Sequence, residues 1–127
     1  METKKIVIAK NAPAAIGAYS HANSINGIVY TAGQIALDPI TNVLITDDIT
    51  IEATRVMENL KVILKEAGSS LAKVLKATIY LTSLADFAAV DAVYRQFITS
   101  DYPGRTCIEV SALPKGAHVE IEMIASI

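Results

Sequence analysis

Two runs close the chain, Arg105-Thr-Cys-Ile-Glu-Val-Ser111 and His118-Val-Glu-Ile-Glu-Met-Ile-Ala-Ser126, joined around Leu113-Pro-Lys-Gly116. Both alternate with a period of two, the pattern of strands with one face on a core. In the first, Thr106, Ile108 and Val110 alternate with Arg105, Cys107 and Glu109; in the second, Val119, Ile121 and Met123 alternate with His118, Glu120 and Glu122. The expectation is a hairpin with its apolar sets under helices and its polar sets facing away. Setting Ser111 opposite Gly116 makes Cys107 face Glu120 and Arg105 face Glu122. Arg105 and Glu120 are then diagonal neighbours, roughly 7–8 Å apart at Cα.

Upstream of Tyr102-Pro-Gly104, Phe87, Val90, Tyr94 and Phe97 recur at helical spacing, and the β-branched run Val74 to Leu81 before them predicts a strand. A longer amphipathic helix begins near Ile49, with Ala53, Val56, Met57, Leu60, Ile63, Leu64 and Ala67 on one face and Gly68 where a left-handed cap belongs. Asp38-Pro39 and Thr41-Asn42 mark a turn region before it. Tyr19 to Ile25 and Ile28 to Gly33 flank Asn26-Gly27, the dipeptide that best tolerates the positive φ of a tight hairpin. Ile6-Val-Ile8 supplies a first strand, followed by the loop Asn11 to Ala15. The order β-ββ-α-β-α-ββ describes an α+β two-layer sandwich, with two helices able to cover one sheet face. No linker, repeat or charge block interrupts it, so residues 1–127 read as a single domain.

Composition narrows the function. An apolar fraction of 52% is enough for a core without a staple, and one cysteine, Cys107, forms no internal disulfide. One Cys and two distant His, His21 and His118, give no zinc spacing, so no metal is expected. Met1 to Lys10 contains only the short apolar run Ile6 to Ala9, too brief for a signal-peptide core or a membrane span. The expectation is a cytoplasmic protein whose mature chain starts here. The net charge of −2 and scattered Lys and Arg argue against nucleic acid as a partner. No glycine-rich phosphate loop occurs, and the positive mean hydropathy points to apolar surface buried between copies of the chain.

The residues left for chemistry are Arg105 and the glutamates near it. A guanidinium stays charged and donates two parallel hydrogen bonds to a carboxylate, while a nearby carboxylate orients or deprotonates water. The same residues also form an ordinary salt-bridge network, with Arg105 neutralising Glu109, Glu120 and Glu122. Spacing leaves both readings open. Cys107 reads as a small core residue without a covalent role. His21 and His118 show no carboxylate partner and read as packing or surface residues.

Several separated motifs add a resemblance that covers essentially the whole chain. Tyr102-Pro-Gly-Arg-Thr-Cys-Ile-Glu-Val110, Leu113-Pro-Lys-Gly116 and Val119-Glu-Ile-Glu122 closely resemble the carboxy-terminal signature of the RidA (YjgF) family. Gly17-Ala-Tyr-Ser-His21, Thr31-Ala-Gly-Gln-Ile35, Asp38-Pro39 and Asp86-Phe-Ala-Ala-Val90 look like its other motifs. The resemblance implies a chorismate-mutase-like fold, a mixed sheet carrying two helices on one face. It also implies a homotrimer with a barrel-like centre and clefts between subunits. It further implies hydrolysis of reactive 2-imino and 2-enamino acids, such as 2-aminoacrylate, to 2-keto acids and ammonia, without any cofactor.

By position, Arg105 would bind the substrate carboxylate and Glu120 would hold the attacking water. Backbone groups at Gly33 and Cys107 would contact substrate, and Tyr19 would line the cleft. The chain departs from the family pattern at Ala18, His21 and Ala32, where proline, glutamine and serine are usual, and at Asp91, where asparagine is frequent. These departures bear on substrate range more than on reaction type. Two alternatives accompany the deaminase reading. One is an endoribonuclease or translation inhibitor; the other is a non-enzymatic, trimeric ligand-binding or chaperone-like protein.

Overall fold

The computed structural model describes residues 3–127. Its strands are β1 (Lys5–Val7), β2 (Ala22–Ile25), β3 (Ile28–Thr31), β4 (Val74–Leu81), β5 (Gly104–Glu109) and β6 (Val119–Ser126), and its α-helices are α1 (Ile49–Glu66) and α2 (Phe87–Phe97). The element order is the expected one. Asn26 and Gly27 take φ of 52° and 76° and close β2 onto β3 at the Ile25–Ile28 pair, as a tight two-residue turn requires.

Helix α1 starts where Asp48 accepts a hydrogen bond from the Ile51 amide at 2.8 Å. It ends at Gly68, whose φ of 84° lets the Ser69 amide return to the Leu64 carbonyl at 2.8 Å. Its buried face is Ala53, Val56, Met57, Leu60, Ile63 and Leu64, the stripe legible in the sequence. Among the described residues no helix is long and apolar enough to cross a membrane.

One six-stranded sheet runs in the order β1-β2-β3-β6-β4-β5, antiparallel except for the parallel pair β4–β5. This corrects the expected hairpin. β5 and β6 are not partners, because β4 lies between them, paired to β6 through Ile79–Ile121 and to β5 through Ile79–Cys107. The physical cause is the helix in the connection: a strand delivered through α2 arrives parallel to β4. The chain then crosses the end of β4, where the Val110 amide donates to Leu81 and the Thr82 amide to His118, before entering β6 on the far side.

The faces of β5 are corrected as well. Arg105 and Cys107 are in register with Ala77 and Ile79, whose side chains are buried under the helices. Thr106 and Ile108 share the opposite face with Thr78 and Tyr80, and Ile108 is exposed there. For β6 the expected faces hold: Val119, Ile121 and Met123 are buried in the core, and Glu120 and Glu122 pair with Tyr80 and Thr78 on the uncovered face. Arg105 and Glu120 therefore point to opposite faces of the sheet within one chain.

Candidate functional site

On the helix side, Arg105 projects from the edge strand onto the surface of α2. Its Nη1 donates to Asp91 Oδ1 at 2.7 Å, and the other Asp91 oxygen accepts from Arg95 Nε at 2.9 Å. The guanidinium carbon lies 4.9 Å from the Tyr94 ring centre and 5.4 Å from that of Phe87, within cation–π range. Among the described residues Asp91 is the only hydrogen-bond acceptor of this guanidinium. Hydrogen bonds from Arg105, then Arg95, hold the Asp91 carboxyl below its ordinary range. Arg105, Asp91, Arg95 and Tyr94 line a cleft of about 310 Å³ together with Tyr102 and Pro103. Cys107 follows on the same face, half-buried, and burial pushes its thiol up.

A second cleft, of about 400 Å³, opens at the end of the sheet and includes Ile16, Tyr19, Gly33, Ile35, Lys115 and Glu120 in its lining. The Gly33–Gln34 segment is fastened to β6 by reciprocal backbone bonds between Gln34 and Ile121 at 2.9 and 3.1 Å. That brings Gly33 under Glu120. A Cβ at Gly33 would fall 2.9 Å from Glu120 Cδ, so the absence of a side chain lets the carboxylate lie across this backbone. Burial first, then the charge of Glu122, raises the Glu120 carboxyl. Beside it, the Tyr80 hydroxyl donates to Glu122 at 2.5 Å. That bond, with burial and the two carboxylates, pushes the phenol up to about 12.

The expected site residues thus fall into two groups within one chain: Arg105 and Cys107 on the helix face, and Tyr19, Gly33 and Glu120 in the other cleft. His21 is a packing residue, as expected: it is buried, with Nδ1 accepting from the Ala9 amide at 2.9 Å. Its Nε2 then carries the proton, donated to the Pro13 carbonyl at 2.7 Å. His118 differs from expectation, because its Nδ1 lies 2.9 Å from a carboxylate oxygen of Glu52 on α1. Glu52 also accepts from the backbone amides of His118 and Val119, at 2.7 and 3.3 Å.

Two partners escaped the sequence reading: Glu52, and Asp91 as the mate of Arg105. The first pair spans 66 positions and leaves no local trace. The second had a signal, since Phe87, Asp91, Tyr94 and Arg95 lie at helical spacings of three and four and so share one stripe of α2. Among the described residues no three His, Cys, Asp or Glu side chains converge to hold a metal.

Comparison with known proteins places the chain in a family. The family model described as Endoribonuclease L-PSP matches residues 9–127. A 2-iminobutanoate/2-iminopropanoate deaminase from Capra hircus is 42% identical over 122 residues, covering 96% of this chain and 89% of the relative. The crystal structure of RidA from the Antarctic bacterium Psychrobacter superposes with a TM-score of 0.93 at 41% identity, covering 97% of this chain and 99% of that one. That of Escherichia coli TdcF with bound serine does so with a TM-score of 0.92 at 38% identity, covering 97% and 98%. With its fold, its motifs and nearly its whole length shared with these proteins, the chain belongs to the RidA family.

Proposed function

We propose that the protein hydrolyses reactive 2-imino and 2-enamino acids, such as 2-aminoacrylate and its tautomer 2-iminopropanoate, to 2-keto acids and ammonia. The observation that carries this reading is the fixed guanidinium of Arg105. Two aromatic rings and Asp91 hold it at a cleft, with hydrogen-bond donors left for an incoming carboxylate. The deaminase name of the goat relative and the serine bound to TdcF support a small amino-acid-like ligand.

Glu120 is the partner for water. The protonated imine carbon is already electrophilic, so the reaction needs orientation and a proton carrier rather than a metal or organic cofactor. Water adds to that carbon, Glu120 takes one of its protons, and a carbinolamine forms. Glu120 returns the proton to nitrogen, the C–N bond breaks with its electron pair going to nitrogen, and Glu120 takes up the hydroxyl proton as the carbonyl forms, passing it to the departing ammonia. A carboxyl raised by burial and by Glu122 suits both taking and giving that proton nearer neutral pH. Backbone groups at Gly33 and Cys107 contact the substrate, and Tyr19 lines its entrance.

Because Arg105 and Glu120 point to opposite faces of one sheet, the proposed site joins Arg105 of one subunit to Glu120 of the next. A chorismate-mutase-like homotrimer, in which each chain acts as one domain, meets that requirement. Its barrel-like centre would cover the face that carries Tyr30, Thr78, Tyr80, Ile108 and Glu122. The lone cysteine accords with the cytoplasm as the setting. A ribonuclease reading finds less support: both His21 nitrogens are engaged by backbone, and His118 faces Glu52, leaving no histidine pair for RNA cleavage.

The test generates 2-aminoacrylate in situ with a serine dehydratase and follows pyruvate and ammonia. Wild-type protein accelerates release over buffer. Arg105→Ala loses at least about 100-fold in kcat/KM, the order of a lost charge-assisted anchor. No acceleration by wild type sinks the reaction, and a fully active Arg105→Ala sinks the anchor.

A further inference from the structure

We propose that Asp91 sets the substrate class of the Arg105 cleft, matching it to acids with one carboxylate and disfavouring dicarboxylic ones. The inference rests on the reading of Arg105 as carboxylate anchor. Two guanidinium groups line this cleft, and Asp91 bonds to both, one oxygen to each. The three side chains together carry a single positive charge. The other residues lining the cleft, Tyr94, Tyr102 and Pro103, add no carboxylate, guanidinium or amine. The one acid of β5, Glu109, lies outside the lining of this cleft and accepts from the Leu84 amide at 2.9 Å.

A monocarboxylate neutralises those three side chains, and the Glu120 that the next subunit brings to the proposed site adds to the repulsion of any second carboxylate. A dicarboxylate leaves the cleft with an excess negative charge close to Asp91, between aromatic walls that screen poorly. Arg95 is the natural mate for a second carboxylate: its side chain is 65% exposed, and only Nε is engaged by Asp91. Asp91 therefore withholds Arg95 from the ligand while it steers Arg105. Its bond to Nη1 leaves Nε and Nη2 of Arg105 as a parallel donor pair for the substrate carboxylate.

Two substitutions move the charge in opposite directions. Asp91→Asn keeps the shape and an acceptor oxygen but gives a cleft of two positive charges. Arg95→Gln, on an exposed side chain, gives a neutral one. Binding of 2-oxobutanoate and 2-oxoglutarate, analogues with one and two carboxylates, is measured by calorimetry on the assembled protein. Wild type is expected to favour 2-oxobutanoate. Asp91→Asn shifts the ratio of affinities toward 2-oxoglutarate by about 3- to 10-fold, and Arg95→Gln shifts it the other way. Both shifts shrink at high salt.

A ratio unchanged within about twofold in Asp91→Asn, or variants that move the ratio in the same direction, overturns the assignment. Failure of wild type to bind 2-oxobutanoate, or a wild-type preference for 2-oxoglutarate, overturns it too. Turnover is scored separately: if wild type does not hydrolyse 2-aminoacrylate but the ratios shift as stated, the reaction fails and the role of Asp91 stands. Hydrolysis with unshifted ratios gives the converse.

Discussion

At the residue scale, Gly33 and Glu120 act as a pair. A methyl group at Gly33 meets the Glu120 carboxylate, the far end of a side chain that can swing, so the fold tolerates it while the carboxylate moves. Gly33→Ala is expected to lower kcat by about 10- to 100-fold with little change in melting temperature, since a displaced catalytic group loses its geometry. Unaltered kcat would remove Glu120 from the reaction. Glu120 also gives a signed pH effect. Its folded carboxyl is raised by burial and by Glu122, so the folded state holds its proton more tightly than the unfolded chain. Its contribution to stability is complete below the unfolded pKa and is lost as pH rises through the folded value. Glu120→Gln should therefore melt higher than wild type at pH 8, with the difference closing near pH 4. Thermal melts across that range check it, and a difference independent of pH would refute it.

At the scale of elements, Glu52 ties the middle of the fold to the start of β6. It is almost wholly buried on α1 and accepts from the backbone amides of His118 and Val119 and from the His118 ring. Glu52→Ala leaves those donors without a partner and is expected to destabilise the protein by about 3 kcal/mol. Urea unfolding measures it as a lower midpoint at unchanged slope.

Such ties explain what the sequence could and could not reveal. The turn at Asn26-Gly27, the cap at Gly68 and the buried stripe of α1 depend on near neighbours and were legible. So was the alternation of β6, buried on its helix face along its whole length. Alternation names faces, however, not partners. It does not report that β4 would separate β5 from β6. On edge strand β5 it assigned the faces wrongly, because Arg105 lies against α2, where Asp91 and two aromatic rings receive its charge. Motifs named the candidate residues, but the division of those residues between two sheet faces left no mark in the sequence.

For the whole molecule, the uncovered sheet face is the decisive surface. It carries Tyr30 at 46% and Ile108 at 43% exposure among polar neighbours, a composition suited to contact between copies. Light scattering is expected to give the mass of a trimer. Ile108→Arg, which sets a charge into that face, should release subunits that keep their helical circular dichroism but hydrolyse no imine. Active monomers would separate catalysis from assembly and overturn the shared site.

The opposed directions of Arg105 and Glu120 also have a genetic consequence. If each site takes its guanidinium from one chain and its carboxylate from another, two inactive proteins can repair each other. Subunits of Arg105→Ala and Glu120→Gln, unfolded together and reassembled in equal amounts, would regain about one quarter of the wild-type sites by random association. The same arithmetic confines the harm of a defective copy to its share, because a chain lacking Arg105 still lends its carboxylate to another site. In a cell expressing a mixture, each chain lacking Arg105 spoils a site that its healthy neighbour has half built.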